Sequence, residues 1–141
     1  MDKNLFGKDV PVVSDEETFL LDAKAGPEFN IFALADAIGA RKRRDAWVLY
    51  EKALAAGMPP EDVFFRVVVW QVKNMLIASR TKNVQETEMK PFPYNKAKSF
   101  LKNFSTAELQ NLSEELVLGY HRVRRGQGGI ETLVEKVLLS L

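Results

Sequence analysis

Apolar residues recur along this chain at steps of three and four, the spacing that gathers side chains on one face of an α-helix. The clearest case lies at the C-terminus, where Ile130, Leu133, Val134, Val137, Leu138 and Leu141 form an amphipathic stripe. Ahead of it, Leu109, Leu112, Leu116, Val117, Tyr120 and Val123 trace another stripe over about four turns. Its start is marked by Ser105-Thr106-Ala107-Glu108. This is a capping box, in which the Ser hydroxyl and the Glu carboxylate each satisfy an orphan backbone N–H. Gly126-Gln127-Gly128-Gly129 then breaks the helix and reads as a helix-to-helix turn.

Upstream, residues 61–80 carry apolar side chains nearly all round their first half: Val63, Phe64, Phe65, Val67, Val68, Val69, Trp70 and Val72. The β-branched run would suit a strand. About twenty residues without a turn signal are too many for one, so the pattern predicts a long helix at the buried centre. Pro59 and Pro60 suit a first helical turn, and Glu61 and Asp62 place negative charge at the positive end of its dipole. Asn30 can cap a helix holding Ile31, Phe32, Leu34, Ala35 and Ile38, with Gly39 ending it. A second helix is expected over 45–56, with Gly57 as its left-handed cap. Residues 81–90 are polar, and Pro91 and Pro93 bracket Phe92 before a short helix expected over 94–103. Up to Glu28 the pattern is mixed and punctuated by Pro11 and Gly26-Pro27, an arm with room for one helix.

The expected fold is therefore all-α, a compact bundle of about six helices, with no alternating strand pattern and no fixed-period repeat. The chain divides into an arm over 1–28 and a helical domain over 29–141. A length of 141 residues suits one core, which buries roughly two-thirds of the extended chain's surface. Cysteine is absent, which excludes a disulfide framework and thiolate metal sites and fits a reducing compartment. Lys and Arg number 20 against 19 Asp and Glu, so no global field draws nucleic acid, and any such contact has to be local. No apolar run is long enough to span a bilayer, and the first residues form no signal region; a soluble, cytoplasmic protein is expected.

Catalytic motifs are missing. No phosphate-binding loop is present, and Gly126, Gly128 and Gly129 follow a helix where a dinucleotide fingerprint would follow a strand. His121 is the sole histidine, and a di-iron Glu-x-x-His step would need a carboxylate at 118, where Leu stands. Ser79, Ser99, Ser105, Ser113 and Ser140 occupy no nucleophile elbow. An enzyme built on carboxylates such as Asp36 or Glu115 lacks a constellation, so no catalytic residue, cofactor or metal is expected. Two basic clusters remain. Arg41, Lys42, Arg43 and Arg44 are candidate phosphate contacts. Arg122, Arg124 and Arg125 sit in a last helical turn, where the dipole alone favours cations. A small helical nucleic-acid-binding domain using both clusters is one functional alternative. Trp47, Tyr50 and Trp70 read as core or interface rather than base-stacking platforms.

Phe29-Asn30-Ile31-Phe32-Ala33-Leu34-Ala35-Asp36-Ala37-Ile38 resembles the entry to the third domain of bacterial DNA polymerase III delta subunits. The resemblance continues through the Ala/Leu helix that ends at Gly57 and the proline-containing helix start after it. Met89-Lys90-Pro91-Phe92-Pro93-Tyr94 is similar to the family's His-Pro-aromatic segment, with Lys90 where histidine is common, and Lys96-Ala97 also fits. The family's Asp-x-x-Ile-Lys-Thr-Gly helix end is matched by Tyr120-His121-Arg122-Val123-Arg124-Arg125-Gly126, which keeps a cation, the aliphatic residue and the glycine and loses the Asp. The pattern covers residues 29–141.

The resemblance implies the collar domain of a clamp loader, one wedge of a five-membered ring that packs against the tau/gamma and delta-prime subunits and keeps the clamp opener assembled. Such a collar has no activity of its own, although the parent holoenzyme is a DNA-directed DNA polymerase. DNA contact would be indirect or weak. The family's ATPase-like and lid modules have no counterpart here, so the arm over 1–28 is a candidate lid remnant, and an excised domain and a stand-alone relative are both open. Ile130, Leu133, Val137 and Leu141 form a stripe that a ring neighbour could cover, which makes them candidate subunit-interface residues. Ordinary core is the competing reading for the same four.

Overall fold

The computed structural model describes residues 30–141; the arm over 1–28 and Phe29 lie outside the described residues. Among the described residues there are six helices and no strand: α1 (Ile31–Gly39), α2 (Arg43–Ala55), α3 (60–79), α4 (Pro91–Phe100), α5 (Thr106–Arg124) and α6 (Ile130–Leu139). The domain is an all-α bundle, as the spacing of its apolar residues requires. Helix α3 is continuous but not uniform, since its backbone widens into a π-helical turn over Phe64–Val69 between the α-helical Pro60–Val63 and Trp70–Ser79.

The long apolar segment is the centre of the bundle. Val63, Phe64, Val67, Val68, Val72, Met75 and Ala78 of α3 are each no more than 2% exposed. Around them, α1 contributes Leu34 and Ile38, α5 contributes Leu109, Leu112 and Leu116, and α6 contributes Val134, Val137 and Leu138. Helix α2 presents Ala46, Tyr50 and Ala53, two of them small enough to let it close on α1 and α6. Helix α4 packs on the second half of α3. There Lys98 Nζ donates to the carbonyls of Ala78 (2.8 Å) and Thr81 (2.5 Å), satisfying acceptors at the α3 C-terminus.

The capping box forms as expected: Ser105 Oγ accepts from Glu108 N–H at 3.0 Å, and Glu108 Oε1 accepts from Ser105 N–H at 2.8 Å. Gly57 is left-handed (φ 94), and the N–H groups of Gly57 and Met58 return to Leu54 and Ala53, closing α2 in a Schellman motif.

Helix α1 departs from expectation. Gly39 is its last helical residue, and the left-handed position falls to Arg41 (φ 57), a residue that tolerates it less well than glycine. The N–H groups of Arg41 and Lys42 bond to Ile38 and Ala37 in the same Schellman pattern. Gly39 is needed for packing instead, since a Cβ there would lie 2.4 Å from the Phe100 ring; its absence lets α1 approach α4. Two helix starts also lie earlier than the spacing suggested. Helix α2 begins at Arg43, and α4 begins at Pro91, because a proline at the first helical position forgoes only an N–H that has no partner anyway.

Candidate subunit interface

Arg41, Lys42, Arg43 and Arg44 do not converge on one patch. Arg41 Nη1 donates to Glu108 Oε2 (3.0 Å) and to the Asn103 carbonyl (3.1 Å), with its guanidinium 4.7 Å from the Phe104 ring centroid. It ties the end of α1 to the start of α5 and so supports its own left-handed backbone. The Ser105 backbone N–H, followed by this guanidinium, holds the Glu108 carboxyl below its ordinary pKa. Arg43 Nη1 donates to the Leu139 carbonyl at 3.3 Å, a cation on the C-terminal end of α6. Lys42 and Arg44 stay exposed. In the second cluster, Arg124 reaches back to the Tyr120 hydroxyl at 3.4 Å, while Arg122 and Arg125 are exposed.

The carboxylates considered for catalysis are likewise engaged, Asp36 with Lys96 at 2.7 Å and Glu115 with Lys136 at 3.4 Å. Among the described residues no three His, Asp or Glu side chains converge as metal ligands would, and no helix is long and apolar enough to cross a membrane.

The C-terminal stripe is largely enclosed by the domain itself. Leu133 and Val137 are buried in the chain's own core, and Ile130 and Leu141 are half-buried at its margin. A neighbour arriving on this stripe would meet only its ends and the exposed Leu139.

Exposed apolar surface lies on another side, between α3 and α5. A groove of about 410 Å³ runs there, floored by Phe64, Val72 and Leu116 and walled by Phe65, Leu76 and Val117. Phe65 is 41% exposed, Val117 53%, and its neighbour Leu118 55%. The first stretch of the groove is shaped by the π turn. Phe64 and Phe65 both reach Tyr120 near the end of α5: Phe64 stacks on it (centroids 5.7 Å apart, planes at 15°), and Phe65 meets it edge-on (5.1 Å, 76°). Offset stacks and edge contacts of this kind are the favoured aromatic geometries. The two phenylalanines also meet each other edge-on at 4.9 Å.

The rim is basic. Lys73, Arg80 and His121 line the groove and are exposed, and none makes a side-chain hydrogen bond or ion pair among the described residues. Among the described residues the polar groups inside are few, namely the Ser113 hydroxyl and the Tyr120 hydroxyl already approached by Arg124. Such a surface can bury apolar side chains and attract negative charge at its edges. Among the described residues it holds no convergent set of polar groups of the sort that orients a small ligand.

The spacing of apolar residues puts Val117 with the buried stripe of α5. At about 100° per residue it falls about 100° from Leu116 and about 140° from Leu112, and Leu118 falls nearly opposite Leu116. That angular offset is the signal in the sequence that points to the groove.

A family model described as DNA polymerase III delta subunit, C-terminal domain, matches residues 28–141. No curated protein and no solved structure matches the chain.

Proposed function

The chain belongs to the family formed by the C-terminal domains of DNA polymerase III delta subunits, and from that premise we propose that it is a non-catalytic collar, packing against other clamp-loader subunits so that the assembly loading the sliding clamp stays together. The partners are tau/gamma and delta-prime, the working part is the domain over 29–141, and the compartment is the cytoplasm. The arm over 1–28 is read as a remnant of the lid domain.

The observation that carries this reading is the α3–α5 groove. Contiguous exposed apolar surface with a polar rim is what a domain keeps when another chain is to cover it. A nucleic-acid role draws less support, because Arg41 and Arg43 are held by Glu108 and by main-chain carbonyls. The test is co-elution of the full chain with tau/gamma and delta-prime by size exclusion at low salt. A stable joint peak is expected. Separate elution of all components at micromolar concentrations would overturn the collar reading.

A further inference from the structure

We infer that the α3–α5 groove receives an amphipathic helix from a neighbouring subunit, with an apolar edge that seats against Phe65 and Val117 and carboxylates that flank it. The inference rests on the collar reading and goes further, since it names the face and the chemistry of its occupant.

Shape supports a helix. The groove follows two neighbouring helices, from Phe65 on α3 to Arg80 just past its end and from Ser113 to His121 on α5. At 1.5 Å per residue the α3 wall alone extends about 20 Å, the length of some four helical turns. An apolar trough of this length suits anchors repeating at i, i+3/i+4 and i+7. The edge-on Phe65 is a pre-formed anchor wall, because its ring is braced by Phe64 and Tyr120 and loses little freedom on binding.

Charge selects the flanks. Lys73 and Arg80 line the α3 side and His121 the α5 side, and among the described residues no acidic side chain lines the groove. A neutral or basic helix would leave two cations beside a desolvated surface. A helix with Glu or Asp on both shoulders would pair them, in the usual arrangement of an apolar centre with a charged rim that steers encounter.

The experiment measures association of the full chain with tau/gamma and delta-prime by titration, for wild type and three variants. Val117→Asp should weaken assembly about tenfold or more. The double variant Lys73→Glu, Arg80→Glu should weaken it and flatten the salt dependence, since the attraction it removes is the part that salt screens. Leu139→Asp, at an equally exposed site on α6, should assemble as wild type does. Helix content by circular dichroism establishes that each variant is folded. Wild-type assembly that the groove variants leave untouched would overturn this inference and leave the collar reading standing. Failure of the wild type to assemble would overturn both. Self-association of the chain that Val117→Asp abolishes would assign the groove to a second copy and overturn the acidic-helix occupant.

Discussion

Helices α5 and α6 lie against each other, yet they treat their apolar residues in opposite ways. Helix α6 places Leu133, Val134, Val137 and Leu138 inward and leaves only Leu139 largely exposed among its aliphatic side chains. Helix α5 buries Leu109, Leu112 and Leu116 but leaves Val117 and Leu118 more than half exposed. The cleaner stripe belongs to the helix whose apolar face the domain largely covers; the blurred one belongs to the helix at the open groove. A narrow stripe reports that a helix is fully served by its own fold. Apolar residues about a third of a turn off the stripe report surface that the described residues leave uncovered.

The strongest way to break that contrast is to compare neighbours on α6. Leu138 is fully buried and Leu139 is 53% exposed. Leu138→Ala should lose about 2–5 kcal/mol of unfolding free energy, the transfer term plus the cavity left behind. Leu139→Ala should stay within about 0.5 kcal/mol of wild type. Urea titrations followed by circular dichroism measure both. Similar losses in the two variants would mean that α6 is not closed on one side and open on the other.

The seam between the two helices comes next in size. Gly119 on α5 is buried, and a Cβ there would stand 2.5 Å from Leu133 Cδ1 and 3.3 Å from Leu133 Cγ. Gly119→Ala should therefore cost about 1–3 kcal/mol through overpacking, despite the better helix propensity of alanine. Shortening the obstructing side chain should recover part of that loss. In a double-mutant cycle with Leu133→Ala, the combined cost should fall below the sum of the single costs by about 0.5 kcal/mol or more. Strict additivity would place the strain elsewhere.

These sites also mark how far the sequence could be read. Helix existence, the capping box at Ser105 and the Gly57 cap were legible, because each depends on residues within one or two turns of one another. Arg41 in a left-handed conformation was not. Nothing local favours it over glycine, and its support comes from Asn103 and Glu108, more than sixty positions away. The roles of Gly39 and Gly119 are invisible for the same reason, since both answer to side chains on other helices. The α6 stripe offered as an interface shows a related limit: periodicity says that a face is covered, and does not say whether this chain or another covers it. The groove was half legible, in the angular offset of Val117 and Leu118. The π turn that sets Phe64 and Phe65 against Tyr120 had no signature in the spacing.

The smallest effect sharpens the closed side of the comparison. Tyr50 on α2 is fully buried and its hydroxyl has no hydrogen-bond partner among the described residues. Burial, reinforced by the charges of Glu135 and Glu131 on α6 and Glu51 on α2, pushes its pKa up to about 12. Tyr50→Phe removes a polar group that the fold leaves unsatisfied, so at neutral pH stability should be unchanged or higher by about 1 kcal/mol at most. At alkaline pH the two proteins should diverge. The phenol in the unfolded chain ionises near pH 10, roughly its ordinary value. The folded protein resists until about pH 12. A raised folded pKa gives a contribution that is present below the unfolded pKa and lost as pH rises through the interval, because the unfolded chain releases its proton first. Wild type should therefore lose stability over that window in a way the Phe variant does not, and denaturant midpoints at pH 8 and pH 11 would display the difference. A neutral-pH loss beyond about 1.5 kcal/mol in the variant would mean that the hydroxyl is hydrogen-bonded, and that the α2–α6 side is polar where the packing makes it dry.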